Sequence, residues 1–214
     1  ALEKSDDGDL IHVMSGIYRE NITITKNNIS LVGFGSCDEK PTIKSNGITG
    51  PHMTNLINSN YPRAAIQIKG NNITIANFKI ISDSQVGNGI GIESTGNQIE
   101  DNMIYGHLDS GILLNRASGN KIHNNSINSS GRGIRIINSS KNTINFNCIY
   151  DNNLNIELDK KSLSNLIYLN RLIKRAGEDN VIDPGSNGST RWNDSTFGNY
   201  YNDFRCDGNS SGVR

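Results

Sequence analysis

The stretch GNKIHNNSINSSGRGIRI, Gly119 to Ile136, decides how this chain is read. By composition it looks like a loop, being rich in Asn, Ser and Gly. Yet isoleucines fall at 122, 127, 134 and 136, a spacing no loop requires. The same spacing returns along the chain. Segments opening GIGI at Gly89, GILL at Gly111, GIRI at Gly133 and NIEL at Asn155 start 22 residues apart each time. Between them runs Asn-x-Ile-x-x-Asn-x-Ile or -Leu. It reads Asn97, Ile99, Asn102, Ile104, then Asn120, Ile122, Asn125, Ile127. Two more copies follow: Asn142, Ile144, Asn147, Ile149 and Asn165, Ile167, Asn170, Leu172. Eight columns kept in register over four copies make an internal repeat.

A weaker form extends upstream. NNITIANFKI (71–80) aligns with NNISLVGFGS (27–36), with Phe78 and Phe34 in the column of Asn102. Before it, GIYRENITI (Gly16–Ile24) alternates as two short strands joined by a turn. Such pieces have a period of two and β-branched side chains, which makes them strands. Three fit each repeat, around 89–92, 97–100 and 102–105. None can bury its apolar face alone, so the units must stack on one another. The pattern predicts an all-β fold, a single-stranded parallel β-helix of about 22 residues per turn, each turn adding roughly 4.8 Å along the axis. About eight or nine turns fit the length. Ile90 and Ile92 would face inward above Ile112 and Leu114, then Ile134 and Ile136, then Ile156 and Leu158. A core that narrow explains how 34% hydrophobic residues suffice in 214.

The asparagines then acquire a structural task. Only two residues separate Ile99 from Asn102, so the chain turns sharply there, and Asn tolerates left-handed backbone well. Stacked turn on turn, Asn102, Asn125, Asn147 and Asn170 would link their amides into a ladder.

The remaining totals exclude several classes. The formal charge is zero and the pI about 7.1, so nothing draws the chain to nucleic acid or anionic membrane. No apolar run approaches the roughly 20 residues of a membrane span. No signal peptide stands at its start, as in a processed chain. Cys37, Cys148 and Cys206 are odd in number and far apart, neither a disulfide framework nor a CxxC metal site. They read as thiols, with one pair plus one free thiol as the alternative.

The whole chain, 1–214, reads as one domain. Residues 1–15 would cap the first end, and coils fill 16–173, with a loop insertion at 45–63 around Pro51 and Pro62. Residues 174–214 would hold the last coil and a C-terminal cap. Trp192, Phe197, Tyr200, Tyr201 and Phe204, five of the 13 aromatics, crowd there. A folded aromatic cap fits an end that needs covering; a sugar-stacking platform is the alternative.

The repeat G-I-x-(I/L)…(G/K)-N-x-I-x-x-N-x-I resembles the right-handed parallel β-helix repeat, and most of all the NosD-like branch of the carbohydrate-binding and sugar-hydrolase (CASH) domains. The opening GIYRENITITKNNISLVGFG is similar to the first turns of that group and of pectinesterase-like proteins. The tail WNDSTFGNYYNDF is similar to a segment that closes many NosD-like surface proteins, with Tyr201 where Trp is usual. The likeness spans roughly residues 8–207. It implies a right-handed pectin-lyase-like solenoid. The group includes polysaccharide lyases, hydrolases and epimerases, copper-site maturation proteins and surface proteins.

In the enzymes of this fold, the resemblance implies a groove on the outer face of the first strand. Here that column is Gly91, Leu113, Arg135 and Glu157, and the next is Glu93, Asn115, Ile137 and Asp159. The incoming loop adds His107 and Asp109. A lyase needs carboxylates to hold Ca²⁺ and a base beside a uronate carboxyl; a hydrolase needs two carboxyls roughly 5–10 Å apart. Arg135, Glu157, Asp159, Glu93, His107 and Asp109 are the catalytic candidates by type. Leu113 and Ile137 interrupt the columns, so no catalytic residue is assigned. Arg135 and Glu157, one turn apart, more simply make an exposed ion pair worth under about 1 kcal/mol.

His12, His52, His107 and His123 fall on different turns, and Met14, Met53 and Met103 form no motif, so no metal site is expected. No cofactor is expected either, Ca²⁺ entering only with lyase activity. Sequons at Asn21, Asn28, Asn72, Asn124, Asn128, Asn138, Asn187, Asn193 and Asn209 are glycosylation candidates of a surface chain. The expectation is an extracellular or cell-envelope module, carbohydrate-binding or structural, with polysaccharide or surface glycan as partner. Asn115, Arg135, Glu157, Trp192, Tyr200 and Tyr201 are its candidate contacts. The alternatives are a polysaccharide lyase, hydrolase or epimerase on the same face, and a subunit that assembles through coil ends or faces.

Overall fold

The computed structural model describes residues 2–35, 39–45, 64–82, 87–185 and 189–201. They wind as a parallel β-solenoid with about 23 residues per turn. The strands form three sheets along the axis. Sheet I stacks Leu10–Met14, Ser30–Phe34, Thr74–Ala76, Gln98–Glu100, Lys121–His123, Thr143–Asn145 and Leu166–Tyr168. Sheet II stacks Ile17–Arg19, Thr42–Ser45, Lys79–Ser82, Met103–Tyr105, Ser126–Asn128, Cys148–Tyr150, Arg171–Ile173 and Tyr200–Tyr201. Sheet III stacks Ile22–Ile24, Ala64–Ile68, Asn88–Ile92, Ser110–Asn115, Arg132–Ile137, Leu154–Leu158 and Val181–Ile182. The expected three strands per turn are present, and the two strands of GIYRENITI belong to different sheets.

The described residues make about six turns, fewer than the eight or nine expected. The tail explains part of the deficit. Among the described residues after Ile173, only two strands of two residues each, Val181–Ile182 and Tyr200–Tyr201, continue the sheets. The loop insertion begins after Ser45, which ends a strand, and 46–63 lie outside the described residues. At the other end, Leu10–Met14 is already a strand inside the stretch read as a cap. The turn Leu2–Lys4 covers the core there, with Leu2 half-buried against it.

The inward column is as the repeat demands. Ile90, Ile112, Ile134 and Ile156 lie in register in sheet III, as do Ile92, Leu114, Ile136 and Leu158, and all are buried. Aliphatic residues stacked on their own kind interdigitate without voids. The leading Gly of GIxI has a steric cause. A Cβ at Gly133 would stand 2.4 Å from Ile149 Cγ2 and 2.6 Å from the Asn155 carbonyl oxygen. One turn later Asn155 takes that place, and its buried amide donates to Asn180 Oδ1 at 2.7 Å.

The corners obey one rule: a left-handed residue precedes a buried ladder residue. Between sheets III and I the left-handed residues are Asn28, Asn72, Gly96, Gly119, Lys141 and Ser164. Between I and II they are Asn77, Asp101, Asn124, Phe146 and Leu169. This corrects the expectation for Asn102 and its column, which are not themselves left-handed. Their side chains do the holding. Asn102, Asn125, Asn147 and Asn170 donate Nδ2 to the Oδ1 of the next turn at 2.9–3.1 Å, and Asn199 ends the run. Each Oδ1 also accepts a backbone N–H from the turn before. Asn97, Asn120, Asn142 and Asn165 form a second ladder at the other corner. The buried backbone groups that a sharp turn orphans are satisfied this way. Phe78 keeps its place at the head of the first ladder, its N–H donating to Asn102 Oδ1, and is fully buried, whereas Phe34 is 60% exposed.

The last turn is covered by Trp192 and Tyr201, half-buried against the core. Trp192 Nε1 donates to Asp183 Oδ2 at 3.2 Å. Phe197 and Tyr200 stand exposed, and Phe204 lies outside the described residues. No helix among the described residues is long and apolar enough to cross a membrane.

Candidate functional site

Sheet III turns its outer face into a register of unlike residues. Gln67, Gly91, Leu113, Arg135 and Glu157 follow one another, one per turn. The anticipated pair is real, with Arg135 Nε 3.1 Å from Glu157 Oε2. It is half of a larger group. Asp109, on the loop entering the strand Ser110–Asn115, reaches Arg132 Nη1 at 3.1 Å and Arg135 Nη1 at 3.5 Å. Arg132 Nε closes the ring on Glu157 Oε2. Two guanidiniums and two carboxylates thus alternate, each side chain about a quarter to a third exposed. Single pairs this open contribute under about 1 kcal/mol, so the ring positions its members more than it stabilises the coil.

Arg132 was not singled out by sequence. The signal was available: it stands just before GIRI, in register with Ser110 and Leu154. His107 does not join Asp109 at the surface. It is 1% exposed, and its Nε2 lies 3.2 Å from the Ile80 carbonyl oxygen. Burial pushes its pKa from 6.5 down to about 4, with the Ile80 hydrogen bond offsetting a part. The ring is neutral and belongs to a corner, where the His107 backbone N–H donates to Ser130 Oγ.

Asp159 is likewise committed to the backbone. Its Oδ1 accepts from Ser162 Oγ at 2.6 Å, Asn138 N at 3.0 Å and Lys161 N at 3.2 Å. Partial burial disfavours its charge, but these bonds and the Lys161 charge outweigh that and hold the carboxyl below its ordinary range. Glu93 is exposed at the edge, and Asn115 lies half-buried opposite Ile137. Trp192, Tyr200 and Tyr201 sit at the far end, so the six candidate contacts do not form one site. Tyr200 pairs with Arg171 in sheet II.

Among the sequons, Asn28, Asn72, Asn124 and Asn138 are exposed left-handed corner residues. Asn21, Asn128 and Asn193 are half-buried, and Asn187 and Asn209 lie outside the described residues. Cys148 is a half-buried free thiol; Cys37 and Cys206 lie outside the described residues too.

A family model described as periplasmic copper-binding protein (NosD) matches residues 4–206. No curated protein matches the chain. Among solved structures, an alginate lyase from Paenibacillus sp. str. FPU-7 is similar at 12% identity and a TM-score of 0.59, covering 90% of this chain and 75% of that one. A pectin methylesterase in complex with a hexasaccharide is similar at 13% identity and a TM-score of 0.44, covering 76% and 74%. At such identities the likeness is one of fold.

Copper asks for converging imidazole, thiolate or thioether donors. Among the described residues no three His, Cys, Asp or Glu side chains come together for a metal ion. His12 packs at 6.2 Å from the Phe34 ring, His107 is buried apart, and His123 Nε2 lies 2.7 Å from Glu100 Oε2. These residues do not fit a copper centre.

Proposed function

The chain belongs to the NosD family, described as periplasmic copper-binding proteins, and from that premise we propose an extracellular or envelope β-helix module that binds carbohydrate without transforming it. The closed ring of Asp109, Arg132, Arg135 and Glu157 carries this reading. Every charge in it is matched, so no guanidinium or carboxylate stands alone as base, acid or nucleophile. The same groups, partly exposed on the sheet beside Asn115, can exchange hydrogen bonds with sugar hydroxyls or a uronate carboxylate.

The test is a panel of uronic-acid and neutral polysaccharides, with binding and product release both measured. Binding that weakens when Arg132 and Arg135 are both changed to Ala, without product, is the expected result. Product release abolished by Arg135→Ala would instead establish a lyase, hydrolase or epimerase, a reading favoured by the fold shared with the alginate lyase. Ca²⁺ dependence would accompany a lyase.

Assembly of copies is a separate reading, motivated by the first turn. Its strands Leu10–Met14, Ile17–Arg19 and Ile22–Ile24 each pair on one side among the described residues, with Leu10, Met14 and Ile17 exposed. A monomer by light scattering at high concentration would rule it out.

A further inference from the structure

The outer face of sheet I carries a second polar column. Glu100, His123, Asn145 and Tyr168 lie in register on four successive turns. They touch in two pairs. His123 Nε2 stands 2.7 Å from Glu100 Oε2, which also accepts from Gln98 Nε2 at 2.6 Å. Asn145 Nδ2 donates to the Tyr168 hydroxyl at 2.9 Å. Between the pairs, Asn145 is 5% exposed and its Oδ1 is buried with no hydrogen-bond partner. A buried acceptor left unmet is costly, and it is an opening for a donor from outside the fold.

Beside it stands an aromatic ring in an unusual place. Phe146 is left-handed, with φ 56°, and 57% exposed. Its column holds Asn77, Asp101 and Asn124 in the turns before, residues that adopt this backbone readily. Phe tolerates it poorly, and an exposed ring adds nothing to the core. The ring leans on Tyr168, with centroids 6.5 Å apart and planes at 60°.

We infer that the stripe Glu100–His123–Asn145–Tyr168, with Phe146 as its stacking platform, is a binding site for an extended neutral oligosaccharide lying along the coil axis. Aromatic faces take the apolar C–H face of a pyranose, while the amide, hydroxyl and carboxylate take its hydroxyls. A turn of the coil advances about 4.8 Å, a step comparable to one pyranose in an extended chain. Sugars and turns therefore keep step. The column holds no Lys or Arg, and its imidazole, His123, already faces Glu100, so a uronate carboxylate gains nothing there. A sugar hydroxyl that reaches Asn145 Oδ1 satisfies it. The inference deepens the carbohydrate reading but uses another face, so the two can fail separately.

Phe146→Asn separates binding from folding, because Asn suits the left-handed backbone that Phe strains. Neutral and uronate oligosaccharides of matched length would be titrated calorimetrically against the protein, Phe146→Asn, Tyr168→Phe and Arg135→Ala. The inference expects Phe146→Asn to keep or raise Tm and weaken neutral-oligosaccharide binding by about tenfold or more. Tyr168→Phe should weaken it less. A stable Phe146→Asn that binds unchanged overturns the stripe. Binding lost only in Arg135→Ala also overturns it, while sustaining the sheet III reading. Preference for uronates that depends on Phe146 overturns the neutral specificity.

Discussion

Asn125 donates its Nδ2 to Asn147 Oδ1 one turn on, at 3.0 Å, and that same oxygen accepts the Asn125 backbone N–H, also at 3.0 Å. One side chain thus serves the turn before it twice. Asn147 Nδ2 in turn donates to the carbonyl oxygens of Ile122 and Asn145 and to Asn170 Oδ1.

Asn147→Leu should therefore be far worse than its similar volume suggests. It strands the buried Asn125 N–H and two carbonyls, and each unmet group costs about 1–3 kcal/mol. A loss of about 3 kcal/mol or more is expected in denaturant unfolding. A loss under about 1 kcal/mol would mean that the ladder does not hold the corner.

Two glycines should answer differently to alanine. At Gly133 the new Cβ meets Ile149 and the Asn155 carbonyl oxygen at 2.4 and 2.6 Å, so overpacking should cost about 2–3 kcal/mol. At Gly119, with φ +67°, the Cβ meets nothing within 4 Å, leaving only left-handed strain of about 1 kcal/mol. Thermal unfolding of the two variants tests the order.

Lys141→Asn should stabilise. Lys141 is exposed at φ 57°, in the column that holds Asn72, Gly96 and Gly119. Asn takes that backbone more readily, so a gain of up to about 1 kcal/mol is expected as a higher Tm.

His107 should make the fold sensitive to acid. Its folded pKa, about 4, lies below the 6.5 of an exposed ring. The unfolded chain therefore takes up a proton that the folded chain refuses. The contribution of His107 is full above pH 6.5, declines as pH falls towards 4 and is flat below, amounting to about 3 kcal/mol at most. His107→Asn, the residue that Asn152 supplies two turns on, should remove that component. Urea midpoints of both proteins between pH 7 and 4 should converge as pH falls.

Much of the solenoid was legible because its information is periodic. Ile90, Ile112, Ile134 and Ile156 face in because each has the same neighbours one turn away, so 22-residue spacing is spatial position. The left-handed residues were less legible. Asn77, Asp101 and Asn124 announce a tight corner by type, but Phe146 and Leu169 do it against type, because the stacked turns on either side impose the backbone.

By itself the sequence determined the sheets, the inward columns and the asparagine ladder, since a parallel stack converts repeat register directly into contact. Beyond the Arg135–Glu157 pair that the spacing announced, only the tertiary structure decided which polar residues meet across the surface. It brought Arg132 to Glu157 and Asp109, drew His107 into the core and set Phe146 against Tyr168. Those outcomes depend on side-chain reach and burial between neighbouring turns, and no spacing along a chain encodes either.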